Sequence, residues 1–400
     1  MKKLIVKIFA FFKKEHLAKY LVQIALFAVV LALFFIFAGD AVGDNVLGTV
    51  IGFLFSSMLL YIFKVILARF EDVLKVSSDT EYILKIYNGD PNYRKTLIKH
   101  GTEVTFAYAD NLVNKGYELD AVDEKDKFLE LDEFIMNNYE VIFSAHTGSV
   151  KINSTTIRLD DYKLENNKLT VYLSRSTVFN HLVTNRAIDF ALFEGLSLRD
   201  VFEYGPKITT YCKSKMSNHV GINGLVFLSD GRLLVPRRGG NSTISKNQIT
   251  SSIAVKLNFP KGSDEITPDY LFKGNIIDNL SARTKIKKED LHLDQIDIEF
   301  LGFGQNLYEG GKPQFYYAVH LRDIDTKKYL EINTADKPGA RLDEDKCIYV
   351  ADYDSYRFKK DKISFDIFDK KGKRKKITIN YEMSYLCNIW HYDEYRKYNG

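Results

Sequence analysis

Apolar positions run unbroken only near the start of the chain and alternate with polar ones after it. Tyr20 to Ala38 (YLVQIALFAVVLALFFIFA) contains one amide and no charge, and Val46 to Phe63 is a second uncharged run. At about 1.5 Å per helical residue each run covers most of a hydrocarbon core. The polar break between them, Gly39 to Asn45, is too short to fold alone. The pattern predicts a two-helix transmembrane hairpin over 20–70, behind a basic tail at 1–19. Lys2, Lys3, Lys7, Lys13, Lys14 and Lys19 precede the first run and Lys64 and Arg69 follow the second, whereas the loop carries Asp40 and Asp44. That asymmetry predicts a multi-pass membrane protein with both termini cytoplasmic. Gly48, Gly52 and Ser56 recur every four residues and share one helix face, with Ala25, Ala28 and Ala32 as a weaker seam. Such a face either packs one hairpin together or joins hairpins of different subunits.

Beyond residue 70 the spacing is that of a folded region. Val73, Leu74, Ile83, Leu84 and Ile86 predict a helical stripe within Glu71 to Lys99, broken by the turn at Asn88-Gly89-Asp90-Pro91. Val104–Tyr108, Val141–Ser144 and Lys168–Leu173 read as strands, and Thr177 to Phe193 returns to helical spacing. We read 71–215 as a mixed connector. From Gly221 two apolar runs, Ile222–Leu228 and Leu233–Arg238, flank Asp230-Gly231, a pair suited to a tight hairpin turn. A strand at Ser252–Leu257, a helix at Tyr270–Ile286 and strands at Ile296–Phe303 and Gln314–Leu321 follow, within a domain spanning 216–400. Phe358 to Lys376 reads as a charged hairpin.

Composition adds limits. The net charge is +4, and most of that excess lies in the basic tail, which argues against a DNA or RNA polymer as partner. The three cysteines are far apart and form no zinc spacing. The eight histidines show no HExxH pair, and neither a GxSxG elbow nor a phosphate-binding GxxxxGK[ST] occurs. The motifs therefore assign no catalytic residue, no metal ligand and no cofactor.

The order hairpin, strand, helix, strands, headed by GLVFLSDGRLLVPRRG, resembles the Nudix fold. The family's signature box departs where its chemistry sits. Asp264 stands at its first glycine, Tyr270 at its first glutamate and Asp278 at its arginine, while Asn279, Ala282 and Arg283 replace the helical glutamates that hold a divalent metal. With the apolar N-terminal runs and the connector YLSRSTVFNHLVTNRAIDF, the chain resembles the two-transmembrane Nudix-like effectors of bacterial cyclic-oligonucleotide anti-phage signalling. The fold so implied is a membrane-anchored α+β chain: a transmembrane hairpin, a mixed connector and a degenerate Nudix-like α/β/α sandwich. The function so implied is binding of a cyclic oligonucleotide from a partner nucleotidyltransferase, followed by homo-oligomerisation in the lipid bilayer and disruption of the bacterial inner membrane.

Arginine can grip a phosphate through two parallel hydrogen bonds, and glycines let backbone N–H groups approach the same anion. Arg237, Arg238, Asn241, Lys246, Ser251 and Ser252, around Gly239-Gly240, are accordingly the candidate ligand residues. Arg175 and Arg186, flanking Phe179 and His181, are candidates for a second ligand or subunit contact. Tyr308, Tyr316 and Tyr317 are candidates for base stacking. The alternatives are a membrane-tethered hydrolase of nucleoside diphosphate compounds using Asp264, Glu265, Asp269 or Asp278, and a non-enzymatic docking protein.

Overall fold

A computed structural model describes residues 57, 75–144, 146, 152–192, 195–238, 247–335, 348–359, 361–368 and 372–399. Helix α1 (Thr80–Ile86) is capped by Asp79, whose side chain accepts from the Tyr82 N–H. It ends where Asn88 (φ 53°) and Gly89 (φ 65°) turn left-handed. The expected helix thus stops at Ile86, and Arg94–Lys99 is instead strand β1, which pairs antiparallel with β2 (Thr102–Ala107). Strands β3 (Ala109–Val113) and β4 (Glu118–Phe128) follow. Two short helices come next, α2 (Glu133–Asn137) and α3 (Tyr139–Ser144). The strand expected at 141–144 is therefore helical, with Ile142 fully buried and Tyr139 and Phe143 packed on the same core. Strands β5 (Thr155–Glu165) and β6 (Lys168–Thr177) form a hairpin, and β4 adds to β6 in parallel. The helical spacing at 177–193 resolves into single turns, α4 (Val178–Leu182) and a 3-10 turn at Asn185–Ala187, before α5 (Leu198–Phe202).

The larger sheet is built on the second half of the chain. Strands β7 (Gly221–Phe227) and β8 (Leu233–Pro236) flank the turn read from Asp230-Gly231, where Gly231 has φ 79°. Strand β9 (Ile253–Lys256) pairs with the start of β7. A π-helical turn at Tyr270–Gly274 leads into α6 (Asn275–Thr284). Then come β10 (Ile296–Asn306), β11 (Lys312–Leu321), α7 (Thr326–Ala335), β12 (Ile348–Ala351), β13 (Arg357–Lys359), β14 (Lys362–Phe368), β15 (Arg374–Asn380) and α8 (Met383–Asn399). The ten strands run β13-β14-β12-β8-β7-β11-β10-β3, with β15 on β14 and β9 on β7. β11 and β7 are parallel and their neighbours antiparallel, so the sheet is mixed.

Alternation along the central strands supplies two buried faces. Ile222 and Val226 of β7 and Phe315, Tyr317 and Val319 of β11 pack with Ile276 and Leu280 of α6. Leu225, Phe227, Tyr316 and Ala318 pack on the opposite side with Tyr385, Leu386 and Ile389 of α8.

One expectation is corrected here. Among the described residues no helix is long and apolar enough to cross a membrane. The longest, α8, is 17 residues and ends in a charged turn with Arg396 and Lys397. The described architecture is α+β with mixed sheets, and it supports neither the membrane-anchored fold class nor a multi-pass inner-membrane location. The stretch predicted to span, with Gly48, Gly52 and Ser56, lies outside the described residues.

Candidate anion-binding site

Two polar clusters tie the connector to the sheet, and they differ in charge balance. In the first, Arg199 of α5 is 1% exposed. Its Nε and Nη2 donate to the Asp189 carboxylate at 2.5 and 2.9 Å, and its remaining donors reach the carbonyls of Leu307 and Tyr308. Asp189 also accepts from the Ser77 N–H. Every charge there has a partner.

The second cluster gathers at the N-terminal ends of β7 and β11. The parallel register places Gln314 beside Gly221. Gly221 has a geometric reason: a Cβ there would lie 2.1 Å from Gln314 Oε1, which accepts from Asn223 Nδ2. Two residues upstream on both chains are Lys312 and His219, which period-two alternation puts on the same face. Lys312 follows the left-handed pair Gly310 (φ 61°) and Gly311 (φ 79°) that reverses the chain after β10. Lys256, the last residue of β9, pairs with Gly221 in the ladder and donates from Nζ to Ser154 Oγ at 3.1 Å. From the connector, α4 contributes His181 and the following 3-10 turn contributes Asn185 and Arg186. Asn185 Nδ2 donates to the Glu309 carbonyl, and Arg186 Nη1 donates to Glu309 Oε1 at 3.0 Å. Lys312 Nζ approaches the other oxygen of that carboxylate at 3.5 Å.

The rings of His181 and His219 stack with centroids 3.6 Å apart. Both side chains are buried, and neither Nδ1 has a hydrogen-bond partner. Burial first, and then neighbouring cations, Lys312 among them, hold both imidazoles well below their ordinary pKa, so they are neutral at pH 7. Burial also lowers the Lys256 ammonium. It works against the Glu309 carboxylate too, but Lys312 and Arg186 outweigh it and lower that group to about 2. Among the described residues the cluster therefore sets Lys312 and Arg186, with the half-buried Lys256 beside them, against the single carboxylate of Glu309. The Lys312, Arg186 and Glu309 side chains are 12%, 19% and 11% exposed. Uncompensated positive charge at that depth is costly unless an anion completes it.

Most of the described residues singled out from sequence are held by partners within the fold. Arg238 Nε and Nη2 both donate to Glu382 Oε2 at 3.0 and 2.9 Å. Arg237 precedes it in an extended run, so it points to the other face; its Nη2 donates to Asn247 and its Nε is buried without a partner. Ser251 Oγ accepts from Asn388 of α8. Ser252 Oγ accepts from the Val226 N–H and donates to the Leu234 carbonyl, fastening β7 to β8. Asn241 and Lys246 lie outside the described residues. Arg175, 2% exposed, puts both terminal nitrogens on Asp123 at 2.5 and 2.8 Å and one of them on the Asp264 carbonyl. Of the named arginines, only Arg186 enters the cationic junction. Tyr308, Tyr316 and Tyr317 are all buried in the core.

Asp278 accepts from the Tyr270 hydroxyl, and among the described residues no group of three or more His, Cys, Asp or Glu could hold a metal ion. His181, His219, Lys256, Glu309 and Lys312 escape motif reasoning because separate segments deliver them. No protein-family model matches the chain, and no curated protein matches it.

Proposed function

We propose that this chain is a recognition protein for a phosphate-bearing ligand of the cyclic-oligonucleotide class, engaged at the junction of His181, His219, Lys256, Lys312 and Arg186. The observation that supports this reading is the excess of cations over carboxylates around a largely buried cluster. The ammonium groups of Lys256 and Lys312 meet phosphate oxygens as point charges, and Arg186 can turn its planar guanidinium from Glu309 towards the same anion. The neutral imidazoles supply a donor or acceptor to a ribose or base edge according to tautomer. The hairpin, strand and helix order of β7, β8, β9 and α6, with its resemblance to the Nudix fold, favours a nucleotide over a simple anion.

The test is thermal melting of the full chain against inorganic phosphate, linear dinucleotides and cyclic di- and trinucleotides. A ligand at one hundred times its Kd should stabilise the folded state by about 2.7 kcal/mol. A saturable shift with one cyclic oligonucleotide and none with phosphate is the expected result. No shift with any phosphate-bearing compound would overturn the assignment.

A further inference from the structure

Glu309 stands where an incoming phosphate would have to sit, and it fills that place incompletely. Its Oε1 accepts one N–H from Arg186 at 3.0 Å. Its Oε2 accepts from Asn306 Nδ2 at 3.0 Å, and Lys312 Nζ stops 3.5 Å from the same oxygen. Charge-assisted contacts close to about 2.7–2.9 Å where geometry allows. The Arg199 clamp shows a full pairing in the same region, with two nitrogens on Asp189 at 2.5 and 2.9 Å. Glu309 instead engages one nitrogen of Arg186, leaves Lys312 at long range and makes no contact with Lys256 among the described residues. A tetrahedral anion has oxygens enough to meet all three.

The backbone beneath this carboxylate is pinned. Arg199 donates to the Leu307 and Tyr308 carbonyls, and Asn185 donates to the Glu309 carbonyl at 2.8 Å. The N–H groups of Gly310 and Gly311 return to the Leu307 and Asn306 carbonyls. Rotation about the Glu309 side-chain bonds therefore moves the carboxylate off the cations while the turn stays in place. Against burial, Lys312 and Arg186 lower the carboxyl to about 2, so it carries its charge throughout the neutral range.

We propose, on the reading of this junction as a phosphate site, that Glu309 is its specificity-determining residue: a resident counter-ion that a ligand must displace from Arg186 and Lys312. Inorganic phosphate gains little from the exchange, since it trades one anion for another on the same two cations and meets the repulsion of the displaced carboxylate. A nucleotide that also engages Lys256 and the His181 and His219 rings makes contacts that Glu309 does not, and these offset the displacement. The built-in cost against the simple anion supplies selectivity that attractive contacts alone do not. Glu309 thus acts as a filter, admitting phosphate only when it arrives with further recognisable groups.

The experiment is calorimetric titration of inorganic phosphate, and separately of the cyclic di- and trinucleotides, into the full chain as wild type, Glu309→Gln and Glu309→Ala. Glu309→Gln keeps the shape and an acceptor for Arg186 but loses the charge, and it should bind inorganic phosphate at least about tenfold more tightly than wild type. Glu309→Ala should gain likewise. A purely structural Glu309 would lower the melting temperature on substitution without creating affinity for an anion. Phosphate binding no tighter in either variant than in wild type would overturn the filter, and if a cyclic oligonucleotide still binds wild type, the phosphate site itself stands. Failure of both variants to fold would make Glu309 a fastening and overturn the filter too. No binding of any phosphate-bearing compound to any of the three proteins would overturn the filter and the site together.

Discussion

The Arg199 clamp and the cationic junction both bury charge between the connector and the sheet, but only the first is balanced. Arg199 meets one carboxylate and two carbonyls, which uses its donors and fixes α5 against the turn at Leu307–Glu309. The junction sets Lys256, Lys312 and Arg186 against Glu309. A balanced buried pair holds two elements in one geometry and leaves nothing for a ligand. An unbalanced one costs stability unless something else completes it, and that difference is what separates a fastening from a candidate site.

The comparison can be broken most forcefully at the clamp. Arg199→Met should destabilise the fold by about 3–5 kcal/mol, because Asp189 is left buried and unpaired. Urea unfolding measures it, and a loss under about 1 kcal/mol would mean that the pair is not a fastening. Acid should act next. His181, His219 and His391 are buried and neutral, the last pushed down to about 3 by burial and then by Lys95. Unfolded imidazoles take up protons near 6.5 and the folded ones do not, so stability is full above about 6.5 and falls below it. Glu203 runs the other way. Burial raises its carboxyl to about 7, so acid favours the folded state as pH falls from 7 towards its unfolded value. Three groups against one leave a net loss of about 3 kcal/mol per pH unit between roughly pH 6 and 5. Flat unfolding midpoints across that window would contradict neutral buried histidines.

Smaller effects sharpen the contrast. Ser252→Ala should cost about 1–3 kcal/mol by leaving the Val226 N–H and the Leu234 carbonyl without their side-chain partner. Urea unfolding of that variant decides whether Ser252 fastens the strands. Lys256→Gln should leave stability within about 0.5 kcal/mol or raise it slightly without ligand, since it removes from a half-exposed position a charge that no carboxylate balances among the described residues. A large loss would place Lys256 with the clamp instead of the site.

How much of this the sequence disclosed depended on whether the signal was local. The Asp230-Gly231 turn, the strands at β7, β9, β10 and β11 and the helix at α6 follow from spacing and turn chemistry confined to each segment. The connector misled because its elements are one or two turns long. Residues 139–144 pack on 178–182 and on the connector core around Ile135, Val183 and Ile188, so packing overrides local propensity there. The arginine-rich hairpin end drew notice because Arg237 and Arg238 are adjacent, yet adjacency in an extended run points them apart. Among the candidates within the described residues Arg186 alone reached the junction. Lys256 and Lys312 look like ordinary strand-end lysines until the β7–β9 and β7–β11 registers bring them beside His219.

Calorimetric titration of a cyclic oligonucleotide into the wild-type chain and into the Lys256→Gln, Lys312→Gln double variant tests the central claim most directly. The account predicts binding to wild type and a loss of at least about a hundredfold in the variant, roughly 2.7 kcal/mol, with both folded. Equal affinity for the two proteins, or no heat with wild type for any cyclic oligonucleotide, would contradict it.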